Sequence, residues 1–130
     1  MQATYLDSSA IVKLVIAEPQ SSALRKFLHR RRPLLYSALA RTEVLRAVLG
    51  EGERGIARAR VVLARLDLVR INDRVLEAAG ELLPAELRSL DAIHLATARL
   101  LGSDLGPVVT YDDRMLNAAR LLGLVTVAPE

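Results

Sequence analysis

The chain has 130 residues, 52% of them hydrophobic but only 3% aromatic, and a formal net charge of +3. It contains no cysteine, which excludes disulfides, thiolate metal ligands and a cysteine nucleophile. This length favours one domain, its apolar mass can fill a core without covalent staples, and the basic excess is a modest hint of a polyanionic partner.

In chain order, Ala3 to Leu6 reads as a first strand, and Ser8 to Ala17 as a helix that stops near Pro19. From Gln20 to Arg31, apolar residues at Ala23, Leu24, Phe27 and Leu28 keep a helical period until Pro33. Leu34 to Tyr36 is a second strand. Ser37 is positioned to cap a third helix running to about Leu49, with Gly50 as its stop signal. Gly52 and Gly55 mark a turn, Ile56 to Leu66 a helix, Leu68 to Ile71 a third strand, and Asp73 to Leu83 a helix ended by Pro84. Ser89 to Leu101 is a further helix, Gly102 to Pro107 a loop, Val108 to Tyr111 a fourth strand, Asp112 to Leu122 a helix and Leu124 to Val127 a last strand. Strands alternate with helices throughout. The expected fold is therefore α/β: a three-layer α/β/α sandwich on a mostly parallel sheet of about five strands, as one domain over residues 1–130.

No apolar stretch reaches the roughly 18 residues of a membrane span. Gln2 to Leu6 is too short for the apolar part of a secretory leader. The expectation is a cytoplasmic protein that does not enter a membrane.

In open α/β sheets, ligands bind beyond the carboxyl ends of the strands, so the polar residues that follow strands are the candidates. Asp7 follows the first strand, and Asp112 follows the fourth, after Thr110 and Tyr111. Glu43 lies in the second turn of the helix after the second strand. At about 100° per residue it falls between an apolar sector (Ala40, Val44, Ala47) and a polar one (Thr42, Arg46). Asp91 stands in the first turn of a helix that is apolar nearly all round, so its carboxylate is drawn close to the core. Singly, the three aspartates would serve as helix caps and Glu43 as a solvated residue. As a set on one sheet edge they repel one another and call for a cation. With carboxylates, no cysteine and little histidine, that cation is a hard ion, Mg²⁺ or Mn²⁺. Such a site suits phosphoryl chemistry, with one ion or two.

Four runs sharpen the reading: YLDSSAIVKL from Tyr5, Glu43-Val44-Leu45-Arg46-Ala47, LDAIHLATA from Leu90, and VVTYDDRM from Val108. In this order and spacing the chain resembles the PIN-domain ribonucleases of the VapC toxin type, over essentially its whole length. The resemblance implies a magnesium- or manganese-dependent endoribonuclease, the toxin of a toxin–antitoxin pair. It implies an RNA substrate, a cognate antitoxin and a homodimer. It carries the catalytic and metal-binding acids onto Asp7, Glu43, Asp91 and Asp112, and the supporting hydroxyls onto Ser9 and Thr110. The T-x-D spacing favours Asp112 over Asp113, which is left as an auxiliary or plain capping acid.

Ser9 and Thr110 are expected either to hold a carboxylate or to serve as a cap and an ordinary strand residue. His94 shares the Asp91 face, three residues on. Either it touches RNA or it is a buried, hydrogen-bonded histidine, and the second is favoured. Arg46, one turn from Glu43, either contacts RNA or pairs with Glu43. The run His29 to Arg32 and the arginines at 54, 58, 60 and 65 either grip phosphates or form a solvated face, and the solvated face is favoured. The apolar excess on the helices at Ala10 to Ile16 and Leu24 to Leu28 predicts a groove for an antitoxin segment. Other enzyme classes are excluded by their missing motifs. A D-x-D after the first strand is broken by Ser9, and neither a P-loop nor G-x-G-x-x-G is present. The remaining alternative is a non-catalytic PIN-like module that binds RNA or protein.

Overall fold

The computed structural model describes residues 2–130. In chain order its elements are β1 (Ala3–Leu6), α1 (Ser8–Val15), α2 (Ser21–Leu28), β2 (Leu34–Ser37), α3 (Leu39–Ala47), α4 (Gly52–Ala64), β3 (Asp67–Val69), α5 (Asp73–Gly80), α6 (Ser89–Arg99), β4 (Leu105–Val109), α7 (Asp113–Leu121) and β5 (Thr126–Val127). Short 3-10 turns at Leu49–Glu51 and Gly102–Asp104 lead into α4 and β4.

The five strands are all parallel, in the order β3-β2-β1-β4-β5. Because strand side chains alternate between faces, neighbouring residues feed opposite layers. Leu6 and Val109 pack with Ile11, Leu24, Val44 and Leu63 from α1 to α4. Tyr5 and Val108 pack on the other face with Ala98 of α6, and Leu95 of that helix joins Met115 and Ala119 of α7. The result is the expected α/β/α sandwich, with β1 buried along its whole length at the centre. Among the described residues no helix is long and apolar enough to cross a membrane.

Three local expectations need correction. Gly52 and Gly55 do not form a free turn, because α4 already begins at Gly52. Gly55 is buried, and a Cβ there would stand 2.4 Å from Glu51 Cβ and 3.2 Å from the Val48 carbonyl. The glycine serves close packing of the 3-10 turn on the helix. Leu105 to Pro107 belongs to β4 rather than to a loop. At Gly106 a Cβ would come within 2.9 Å of the Ala3 carbonyl. The missing side chain thus lets β4 lie against β1 where their register shifts. Ser37 ends β2 instead of standing at the N-cap of α3, although its Oγ still accepts the Leu39 N–H at 3.2 Å.

The order of strands creates the site. The chain moves outward from β1 to β2 and β3, then crosses to β4 on the other side of β1. Connections therefore diverge at the carboxyl ends of β1 and β4, which opens a crevice there.

Candidate active site

Asp7 leaves β1 and becomes the N-cap of α1, its carboxylate accepting the Ala10 N–H at 3.0 Å. Ser9 Oγ donates to the same oxygen, Oδ1, at 2.6 Å. Thr110 Oγ1, at the end of β4, donates to the other, Oδ2. Ser9 Oγ also accepts the Tyr111 N–H at 2.9 Å, and Thr110 Oγ1 accepts the Asp112 N–H at 3.1 Å. The two hydroxyls thus stitch the ends of β1 and β4 together around one carboxylate, which fits the holding role considered for them. Asp7 is 3% exposed. Burial pushes its carboxyl up from the usual carboxylate range, further than the bonds from Ser9, Thr110 and Ala10 and the nearby His94 bring it down.

Glu43 projects from the second turn of α3. Ser8 Oγ donates to its Oε1 at 2.5 Å, and His94 Nε2 lies 2.6 Å from the same atom. Both contacts fall on Oε1; among the described residues none falls on Oε2. Burial pushes the Glu43 carboxyl up, but hydrogen bonds from His94 and Ser8 outweigh it, and the net shift is down.

Asp91 is the third residue of α6. The C-terminus of α6 leads into the start of β4, so its N-terminus lies at the carboxyl edge of the sheet. Burial pushes the Asp91 carboxyl up, the charges of Asp112 and Glu43 push it further, and His94 and Arg88 oppose them. Asp112, exposed, is the N-cap of α7 and accepts the Arg114 N–H at 2.9 Å. Asp113 is the exposed first residue of α7, placed to meet the helix dipole.

His94 is 2% exposed, with Tyr5 Oη 2.9 Å from its Nδ1 and Glu43 on its Nε2. It is therefore the buried, doubly bonded histidine rather than a surface contact. Arg46 is exposed, and the side chain that meets Glu43 is His94, not Arg46. The run His29 to Arg32 follows α2 and precedes β2, which puts it at the amino end of the sheet, opposite the acids.

Sequence reasoning did not single out Tyr5 and met Ser8 only as the start of a helix. A polar aromatic on the strand that leads to Asp7 was the available signal for the first. The second stands beside the acid itself, but only the fold reveals that it reaches Glu43, 35 residues away.

Among the described residues no three acidic or histidine side chains form a ready-made metal cage. An ion bound there would draw its remaining ligands from water or substrate oxygens. The donors are all carboxylate oxygens, the hard type such an ion selects.

The family model of the PIN domain matches residues 4–121. The chain is 60% identical over 129 residues to Ribonuclease VapC46 of Mycobacterium tuberculosis (strain ATCC 25618 / H37Rv), covering 99% of each chain. It is 41% identical over 130 residues to Ribonuclease VapC47 of Mycobacterium tuberculosis (strain CDC 1551 / Oshkosh), covering 96% of each. Among solved structures it is similar to Mycobacterium tuberculosis VapC20, described as a sarcin-ricin loop cleaving toxin. The TM-score is 0.74 at 16% identity, over 97% of this chain and 99% of that one. It is also similar to a toxin–antitoxin complex from Klebsiella pneumoniae, with a TM-score of 0.75 at 22% identity over 98% of both chains. At these identities the structural likeness speaks for the fold.

Proposed function

The chain belongs to the PIN-domain family, and from that premise we propose that it is a ribonuclease toxin of a toxin–antitoxin pair. In this reading residues 1–130 act as a single PIN domain that cleaves RNA phosphodiester bonds with Mg²⁺ or Mn²⁺, in the cytoplasm where its substrate is. The observation that carries it is the convergence at one sheet edge. Asp7 and Asp112 leave the adjacent strands β1 and β4, while the bond from His94 holds Glu43 of α3 against α6, the helix that carries Asp91 one turn before His94.

Asp7, Glu43, Asp91 and Asp112 are the residues that would hold the ion. When bound, a divalent ion offsets their mutual repulsion, favours attack of water on phosphorus and steadies the leaving oxygen. Ser9 and Thr110 keep Asp7 in place and Ser8 anchors Glu43. Asp91 also lines a hollow of about 390 Å³ with Arg88, Arg114 and Asn117. Its two guanidinium groups offer the phosphates of an RNA strand a positive wall. Arg46, exposed one turn beyond Glu43, is a further RNA contact.

At the amino end of the sheet a groove of about 400 Å³ has an apolar floor of Leu14, Leu28, Leu34, Val62 and Leu66. Arg25, His29, Arg32 and Arg65 rim it. We assign it to an amphipathic antitoxin segment with acidic flanks, because apolar contact and charge are both matched there. A homodimer is part of the proposal. Leu83, Leu90 and Leu121, at 69%, 50% and 75% exposure, are its candidate apolar contacts.

The test is cleavage of a mixed RNA by the purified chain. Cutting is expected with Mg²⁺ or Mn²⁺, is expected to stop with a chelator and to return when metal is restored. Cutting that persists in chelator, or none with either metal, would overturn the proposal and favour a binding module.

A further inference from the structure

A carboxylate on a helix turns freely about its side-chain bonds unless donors fix it. Three elements combine to fix Glu43. Tyr5 of β1 is 1% exposed, and its hydroxyl lies 2.9 Å from His94 Nδ1. The two rings stand edge to face, with centroids 6.2 Å apart and planes at 73°. From α6, His94 Nε2 lies 2.6 Å from Glu43 Oε1 on α3. Ser8 of α1 reaches that oxygen too.

We propose that Tyr5 and His94 are positioning residues, a buried relay that holds Glu43 by Oε1 and so leaves Oε2 as the oxygen offered to the ion. This rests on the metal-nuclease reading and adds to it two residues that touch neither ion nor RNA.

The relay requires one direction of donation. Tyr5 is a buried phenol whose hydroxyl faces Nδ1. A phenol can donate its O–H to Nδ1, and Nε2 then carries the ring proton that it donates to Glu43. Neither ring nitrogen is spent on backbone or solvent, and the chain of bonds ends on a proposed ligand. Outer partners of this kind set the orientation of a ligating group, and their loss costs about 10- to 100-fold in metal affinity.

The experiment is an EPR titration of the metal-free full-length chain with Mn²⁺ alone, alongside thermal melts. His94→Ala is expected to weaken Mn²⁺ binding by about 10- to 100-fold. His94→Gln, which keeps a side-chain N–H for Oε1, is expected to stay close to the wild type, and Tyr5→Phe to fall between. In a Glu43→Ala background, His94→Ala is expected to have no further effect on Mn²⁺ affinity, because its influence passes through Glu43.

Long-range ¹⁵N–¹H spectra of the wild type add a readout that needs no variant. A protected Nε2–H on His94 supports the relay, and an Nδ1–H tautomer overturns it. Wild-type Mn²⁺ affinity in folded His94→Ala, or an undiminished His94 effect without Glu43, would remove the relay and leave the nuclease intact. Failure of the wild type to bind Mn²⁺ would remove both.

Discussion

Thr110 and Asp7 stand 103 residues apart in the chain, yet the threonine hydroxyl donates directly to the carboxylate. That contact closes the seam between β1 and β4 at the point where the acids gather. Thr110→Val keeps the side-chain shape but removes the donor to Asp7 and the acceptor for the Asp112 N–H. We expect a loss of about 1–3 kcal/mol in denaturant unfolding together with reduced RNA cleavage. Thr110→Ser should restore much of both. Equal activity in the valine variant would show that the hydroxyl plays no part in the site.

Asp7→Asn is expected to abolish cleavage and, without metal, to raise the melting temperature. The folded carboxyl lies above its usual value of 3.8 because burial disfavours its charge. Its contribution to stability is therefore fully present below the unfolded pKa and is lost as pH rises through the folded one. The gap between asparagine and wild type should open over that window and persist at neutral pH. Melts at several pH values measure it, and added Mn²⁺ should narrow it by stabilising only the wild type.

Glu43 behaves in the opposite sense. Burial alone would raise its carboxyl, but bonds from His94 and Ser8 bring it below the usual 4.5. Its stabilising share is present above that value and fades as pH falls through the folded pKa. Ser8→Ala should cost about 1 kcal/mol at neutral pH, a figure kept small because the Glu43 side chain is partly exposed. The difference should shrink in acid, and urea titrations at pH 7 and at pH below 4 (~3.5) compare the two conditions.

Reversing charge on the groove rim tests the antitoxin surface apart from catalysis. Arg32→Glu with Arg65→Glu should weaken antitoxin binding by about tenfold or more, and most clearly at low salt. RNA cleavage should stay unchanged, because the rim lies at the far end of the sheet. Calorimetry with the co-expressed antitoxin, after separation, reads the affinity. Undiminished binding would move the antitoxin to another surface.

Core and surface should respond differently to truncation. Ile11 is fully buried, so Ile11→Ala should cost about 2–5 kcal/mol. Leu121, 75% exposed, should tolerate Leu121→Ser within about 0.5 kcal/mol in the monomer. A drop in sedimentation coefficient for the serine variant would tie that leucine to the dimer.

Much of this architecture is legible in the linear chain because hydrophobic period and helix stops are local signals. Ala3–Leu6 is a run of four residues, buried throughout and cut off by an acid, and α1 follows from the Asp7 cap beside it. The misreadings arise where a residue answers to a distant neighbour. Gly106 looks like loop punctuation until the Ala3 carbonyl is placed against it. Gly55 looks like a turn until Glu51 and Val48 close on it. The acids at the candidate site are visible through their motifs, and the holding roles considered for Ser9 and Thr110 fit their bonds to Asp7. Which carboxylate oxygen is engaged, and by whom, is set by packing alone. Arg46 is nearer to Glu43 in sequence, yet the partner is His94, 51 residues away.

The seam between β1 and β4 also has a consequence in time. Asp7 is made 103 residues ahead of Thr110, so one side of the cleft exists well before the other. A nascent or truncated chain that lacks β4 has half a cleft and no means of closing it. In the proposed reading such a fragment is harmless to the RNA around it, including the ribosome that is making it. In that reading activity begins only once β4 has been made and docked beside β1, so termination ahead of it yields inert product rather than a partly active poison.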